Sequence, residues 1–243
     1  MAAVAGRSTG SLDRMSDTRE NGLLRKALAL YAGEHVLSRV LDEGEKFLVP
    51  NAESVELTML FFDVASFRSI DTSTSAESLS RWQRAYAESV TQTIARAAGT
   101  FDTFIGDSGS AWWAAKDHPD HAARAVGCGE ALLAAMAALN KQSNSSGFPE
   151  AHLKIGIHSG RAALGNYGSA TRLRYSVIGD AVNIAARLCG SAPQLGSSIV
   201  VSGVTYNLLG NKAGISELGD LPVKDSQERL KIYAVRGTGE HAI

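Results

Sequence analysis

The run Phe101 to Ala115, FDTFIGDSGSAWWAA, constrains this chain more than any other stretch. Two apolar, aromatic-rich runs flank Gly106-Asp107, and a Gly-Asp pair between strand-like runs reads as a hairpin turn. The hairpin commits the chain to antiparallel pairing and sets a carboxylate, Asp107, at its tip. A second acidic residue, Asp63, stands near the end of another apolar run, ELTMLFFDV. Strand-end aspartates often only cap turns. Two of them together are also what hard cations such as magnesium use, with few protein carboxylates and the remaining ligands from water and phosphate.

The rest of the pattern mixes helices with strands. Residues 1–16, rich in Ala, Gly and Ser, read as a disordered tail, and residues 17–50 as a helical segment interrupted at Gly33. A compact domain is expected over 53–236, followed by a tail at 237–243. Its expected elements are a strand at 56–63, a helix at 77–98 and the hairpin. A helix at 118–140 and two strands, HLKIGIHSG and RAALGNYG, come next. A short strand at 175–178, a helix at 180–189 and strands near 198–201 and 229–235 complete the set, with a helical turn at 203–209. Some strands are joined by hairpins, so the expectation is an α+β sandwich rather than an all-parallel wound sheet.

Composition narrows the class. A net charge of −1 over 243 residues gives no basic face for general nucleic-acid binding, though a nucleotide site needs only a few cations. Cys128 and Cys189 form neither a metal spacing nor a disulfide framework, which fits a reducing compartment. No signal-like apolar region opens the chain, and ALLAAMAAL at 131–139 is too short to cross a bilayer. The expectation is a cytoplasmic protein without a membrane segment.

The segment YSVIGDAVNIAAR adds a second constellation. Asn183 and Arg187 lie four residues apart, on one face of the expected helix. An amide and a guanidinium there suit a sugar and a phosphate, the guanidinium matching phosphate oxygens with a rigid fork of donors. Such a spacing is common on solvated helix faces. What gives it weight is its position after a Gly-Asp turn and its company with two carboxylates.

In order and spacing, LFFDVASF, FIGDSGSAWWA, LKIGIHSGRAALGNYGS, YSVIGDAVNIAARL and VKDSQERLKIYAV resemble the class III nucleotide cyclase catalytic domain over residues 55–236. The resemblance implies a ferredoxin-like α/β sandwich, here with an N-terminal helical extension, acting as a homodimer with shared active sites. It implies attack of a ribose 3′-oxygen on the α-phosphorus of a nucleoside triphosphate, assisted by two divalent cations per site, Mn²⁺ or Mg²⁺. Asp63, Asp107 and the backbone carbonyl of Val64 match the metal ligands. Asn183 matches the ribose-orienting residue and Arg187 the residue that stabilises charge on the α-phosphate. Lys224 matches a triphosphate-binding lysine, although Asp225 stands where the family usually has glycine.

The base-reading positions depart from the family. Adenylate cyclases place lysine four residues before the second metal aspartate and aspartate or threonine seven residues before the asparagine. This chain has Thr103 and Ser176 there. Guanylate cyclases usually have glutamate and a cysteine or other small residue. Short hydroxyls bond to keto or amino groups alike, and the chain resembles some stand-alone cyclases of this class that lack the purine-specifying pair and make cyclic UMP or cyclic CMP as antiphage signals for a separate receptor. The expectation is therefore a pyrimidine nucleotide cyclase. An adenylate or guanylate cyclase and a non-catalytic nucleotide-binding dimerisation domain are the alternatives. Trp112, Trp113 and His158 are expected to be structural.

Overall fold

The structure, a computed structural model, describes residues 9–64, 75–143, 150–222 and 229–236. Its elements are α1 (Thr9–Ala32), α2 (Glu34–Glu43), a 3₁₀ turn (Gly44–Phe47), β1 (Asn51–Val64), α3 (Ala76–Arg96), β2 (Thr100–Ile105) and β3 (Ser108–Ala114). Then come α4 (His121–Ser143), β4 (Leu153–Ser169), β5 (Arg172–Ile178), α5 (Asp180–Ser191), a 3₁₀ turn (Pro193–Leu195), β6 (Ile199–Ser202), α6 (Gly203–Leu208), β7 (Ile215–Pro222) and β8 (Arg229–Val235). The chain divides into two compact units, residues 1–52 with 165–176, and residues 53–164 with 177–243.

In the larger unit, the alternation of side chains along each strand sorts the helices onto two faces. Eight strands form one sheet among the described residues, in the order β2-β3-β1-β4-β6-β8-β7, with β5 paired to β4. The sheet is mixed: β1 and β3 are antiparallel, β4 and β6 parallel, and β6, β8 and β7 antiparallel. Leu60, Phe62 and Val64 of β1, Leu153, Ile155 and Ile157 of β4, and Ile199 and Val201 of β6 pack with α3 and α4 in the main core. Val200, between those two β6 residues, packs with Leu188, Ala192 and Ile232 in a separate cluster. Thus α5 lies on the face opposite α3 and α4. A Cβ at Gly156 would meet the backbone N of Cys189 at 2.1 Å and the carbonyl of Ala185 at 2.2 Å. Only glycine there lets α5 seat directly on β4.

Helix α3 is started by Ser75, whose side chain accepts from the Ser78 N–H. Helix α4 is long and apolar enough by length and composition to cross a membrane. The short apolar run noted in the sequence understates it, because its alanines and Cys128 extend the apolar face. Here that face, with Ala122, Ala125, Cys128, Leu132, Met136 and Leu139, is buried in the core. Trp113 is buried too, and its Nε1–H donates to the Ala97 carbonyl at 2.9 Å.

A buried polar chain joins these layers. His121 Nδ1 contacts Thr58 Oγ1 at 2.7 Å, Thr58 contacts Ser159 at 2.7 Å, and Ser159 contacts Thr205 at 3.0 Å. Thr205 then meets Ser202 at 3.1 Å, and Ser202 meets His158 Nδ1 at 2.8 Å. Four hydroxyl protons serve five contacts, so at least one of the two imidazoles must donate through Nδ1. His158 is structural, as expected, and burial depresses its pKa to about 4.

The smaller unit is built around Arg39. Its guanidinium lies 5.0 Å from the Phe47 ring centroid and 5.9 Å from that of Tyr175, with NH1 donating to the Tyr175 hydroxyl at 3.4 Å. Asn166 donates to the Phe47 carbonyl at 2.5 Å. Helix α1 presents Leu23, Leu24, Leu30 and Tyr31 to the outside.

Three differences from the sequence reading concern local structure. Helix α1 starts at Thr9, inside the stretch read as a disordered tail. The two strands expected at 152–168 are one continuous strand, β4, because Ser159-Gly160 continues the extended backbone instead of turning. Strand β7 was missed, since ISELGDLP carries too few apolar residues to stand out.

Candidate active site

The two carboxylates are brought together by register. Phe62 of β1 faces Gly109 of β3, so the next pair inward to the hairpin tip is Asp63 with Ser108, and Asp107 adjoins Ser108. Gly106 has φ 67°, a left-handed value that turns the chain at low cost only for glycine. Ser108 Oγ donates to Asp63 Oδ1 at 2.6 Å, and the Val64 N–H reaches the same oxygen at 3.0 Å. The Tyr86 hydroxyl of α3 donates to the Asp107 carbonyl at 2.7 Å, fastening the tip from the helix side. Burial raises the Tyr86 phenol pKa, and the charges of Asp107 and then Asp63 add to the rise.

Lys154 is the residue that the sequence reading did not single out. Its Nζ lies 2.7 Å from Asp63 Oδ2, and both side chains are largely enclosed, 18% and 24% exposed. In LKIGIHSG it reads as an ordinary solvated strand lysine. Only the adjacency of β1 and β4 in the sheet brings it to Asp63. Burial alone would raise the Asp63 pKa. Hydrogen bonds from Lys154 and Ser108, the Lys154 charge and the Val64 N–H outweigh it and hold the carboxyl below its usual range.

The donor set fits hard cations that keep few protein ligands. Asp63 and Asp107 offer carboxylate oxygens at one sheet end, and the Val64 carbonyl lies next in the chain. No cluster of three or more His, Cys, Asp or Glu side chains with metal-binding geometry occurs among the described residues. This site would therefore draw further ligands from water or a phosphate-bearing substrate rather than from a protein cage.

Asn183 and Arg187 lie one turn apart on α5, and both are exposed. The helix begins after Gly179, whose φ of 150° and ψ of 177° suit glycine. The buried residues Ala181, Ala185, Leu188 and Cys189 form its inner stripe, so the amide and guanidinium point away from the sheet.

Thr103 is half-buried in β2. Phe101 faces Ala111 and Thr103 faces Ser110, which makes Asp102 the extra residue of a bulge. The bulge lets Phe101 and Phe104 both reach the core, with ring centroids 4.5 Å apart, and turns Thr103 to the opposite face. Its hydroxyl donates to the Phe104 carbonyl at 3.2 Å. Ser176 is buried in β5, 8% exposed. Lys224 lies outside the described residues.

Comparison with known proteins places the chain in a family. The adenylate and guanylate cyclase catalytic domain pattern matches residues 49–237. Adenylate cyclase 1 of Rhizobium meliloti is 31% identical over 89% of this chain, which spans 34% of that relative's length. Among solved structures, the adenylyl cyclase CyaB from P. aeruginosa is 26% identical, with a TM-score of 0.71, covering 80% of this chain and 100% of its own. The guanylyl cyclase Cya2 is also 26% identical, with a TM-score of 0.69, covering 79% of this chain and 96% of its own. The mixed sheet, the aspartate-bearing hairpin and α5 thus sit on a shared fold, and the chain belongs to the adenylate and guanylate cyclase catalytic domain family.

Proposed function

We propose that the protein converts a ribonucleoside triphosphate into a 3′,5′-cyclic nucleotide and pyrophosphate, as a homodimer with shared sites. The observation that carries this reading is the register that sets Asp63 beside Ser108 and the tip bearing Asp107. In the proposed site Asp63, Asp107 and the Val64 carbonyl hold two divalent cations, Mn²⁺ or Mg²⁺. When bound, these supply charge that stabilises the attacking and departing oxygens. Asn183 orients the ribose, so that its 3′-oxygen is held in line with the α-phosphorus. A bond forms between those atoms, the bond to the bridging oxygen breaks, and pyrophosphate leaves with the electron pair. Arg187 stabilises the charge that develops on the α-phosphate. The 3′ proton is assigned to water. Lys224 is assigned to the triphosphate.

The outward placement of Asn183 and Arg187 on α5 favours a site completed across two copies, each supplying the carboxylates of one site and the helix of the other. For the base, Thr103 stands where purine cyclases carry lysine or glutamate, and Ser176 supplies a second short hydroxyl, which supports UTP or CTP. The product would then be cyclic UMP or cyclic CMP, made in the cytoplasm as an antiviral signal for a separate receptor. A second reading, ATP, is favoured by the 31% identity to a protein named adenylate cyclase 1. Incubating the purified protein with Mn²⁺ and each of the four ribonucleoside triphosphates, then resolving products by chromatography, separates these readings. The proposal expects cyclic UMP or cyclic CMP to dominate. Dominant cyclic AMP would overturn the base assignment, and nucleotide binding without any cyclic product would favour a non-catalytic dimerisation domain.

A further inference from the structure

Three lysines form ion pairs among the described residues, and one differs in kind. Lys116 with Glu53 and Lys231 with Glu217 are surface pairs, their side chains 46% to 60% exposed. Such pairs contribute little and exchange freely with water. Lys154 is 18% exposed and Asp63 24%. The backbone of Lys154 is held as well. Its carbonyl accepts from Cys189 Sγ at 3.2 Å, and the next residue, Ile155, donates to the Ser198 carbonyl at 2.8 Å. The ammonium is therefore a positioned charge rather than a wandering one.

Its position matters because of what remains of Asp63. Oδ1 already accepts from Ser108 and Val64, and Oδ2 receives Lys154. A divalent cation on Oδ2 would stand where the ammonium stands, and two cations that close repel strongly in a partly desolvated site. Removing the ammonium without replacement would leave a half-enclosed carboxylate unpaired, which is also costly.

We propose that Lys154 is the counter-ion that Asp63 exchanges for a divalent cation. Exchange makes cation binding to the free protein weak. It becomes tight only when a triphosphate arrives, because the anionic oxygens offset the positive charge that the exchange leaves behind. Lys154 is thus a positioning residue that couples metal entry to nucleotide entry. This rests on the reading of Asp63 as a metal ligand.

The test is Mn²⁺ titration of the full chain by electron paramagnetic resonance, first without nucleotide. Lys154→Met and Lys154→Gln should each bind Mn²⁺ about tenfold more tightly than the wild type, since each removes one competing charge. The glutamine keeps a hydrogen-bond donor toward Asp63 and serves if the methionine variant misfolds. Lys116→Met, on the surface, should match the wild type. With α,β-methylene UTP present, the gap between wild type and the Lys154 variants should close to within about threefold. If both Lys154 variants bind Mn²⁺ no more tightly than the wild type without nucleotide, the exchange is overturned. If Asp63→Asn instead leaves Mn²⁺ affinity unchanged, the metal role of Asp63 fails, and the exchange fails with it.

Discussion

The two halves of the candidate site are built in opposite ways. Asp63 is half-enclosed and engaged by Ser108, Val64 and Lys154. Asn183 and Arg187 stand exposed on a helix whose inner stripe is buried. The first half is organised by pairings within one chain, between strands whose register is set by hydrophobic alternation. The second is a rigid platform that displays its groups outward. A carboxylate cluster has to be held together against its own repulsion, so it needs close partners before any substrate arrives. A guanidinium that meets a phosphate needs only a firm base and an open approach.

The largest effect expected from breaking this contrast is at the carboxylates. Asp63→Ala or Asp107→Ala should lower the rate of cyclic nucleotide formation more than about a thousandfold, because each removes a ligand from the charge-stabilising centre. Turnover within tenfold of the wild type in either variant would contradict the metal assignment. On the helix side, Arg187→Ala should lower kcat by about a hundredfold, the usual scale for one group that stabilises transition-state charge. Mn²⁺ affinity in the absence of nucleotide should be unchanged there, whereas the aspartate variants should lose it. Equal losses of metal binding in both sets would erase the division between the halves.

A smaller effect tests how the helix is seated. Gly156→Ala places a Cβ against the backbone of α5, and overpacking of this kind should cost about 3 kcal/mol in urea unfolding. The smallest effect concerns neither half. His158 has a folded pKa of about 4 against an ordinary 6.5, so the unfolded chain takes up the proton first as pH falls. Stability from this group is complete above about pH 6.5 and is lost progressively down to about pH 4, costing about 2 kcal/mol between pH 7 and pH 5. Urea unfolding across that range checks it, and the loss should shrink in His158→Gln.

The carboxylate hairpin was legible because strand, turn and strand follow one another in the sequence, and the turn demands its glycine. The face of α5 was legible for a similar reason, since a helix repeats every three to four residues. Lys154 was hidden because its meaning comes from a neighbouring strand far away in the sequence, and a lysine in a strand looks the same whether it faces water or Asp63. The long strand β4 was read as two, because Ser159-Gly160 has the composition of a turn while its backbone stays extended. The buried chain from His121 to His158 was equally invisible. It draws on five elements, and no local pattern announces that two histidines and four hydroxyls meet.

The division between the halves also makes a claim about assembly, since the displayed helix is proposed to serve the carboxylates of a second copy. The most direct test mixes two inactive variants, Asp63→Ala and Arg187→Ala, under conditions where subunits exchange. If each site joins the carboxylates of one copy to the helix of the other, every mixed dimer holds one intact site. An equal mixture should then recover about a quarter of the wild-type rate. If the mixture stays as inactive as its two components while subunit exchange is verified, the shared site is contradicted.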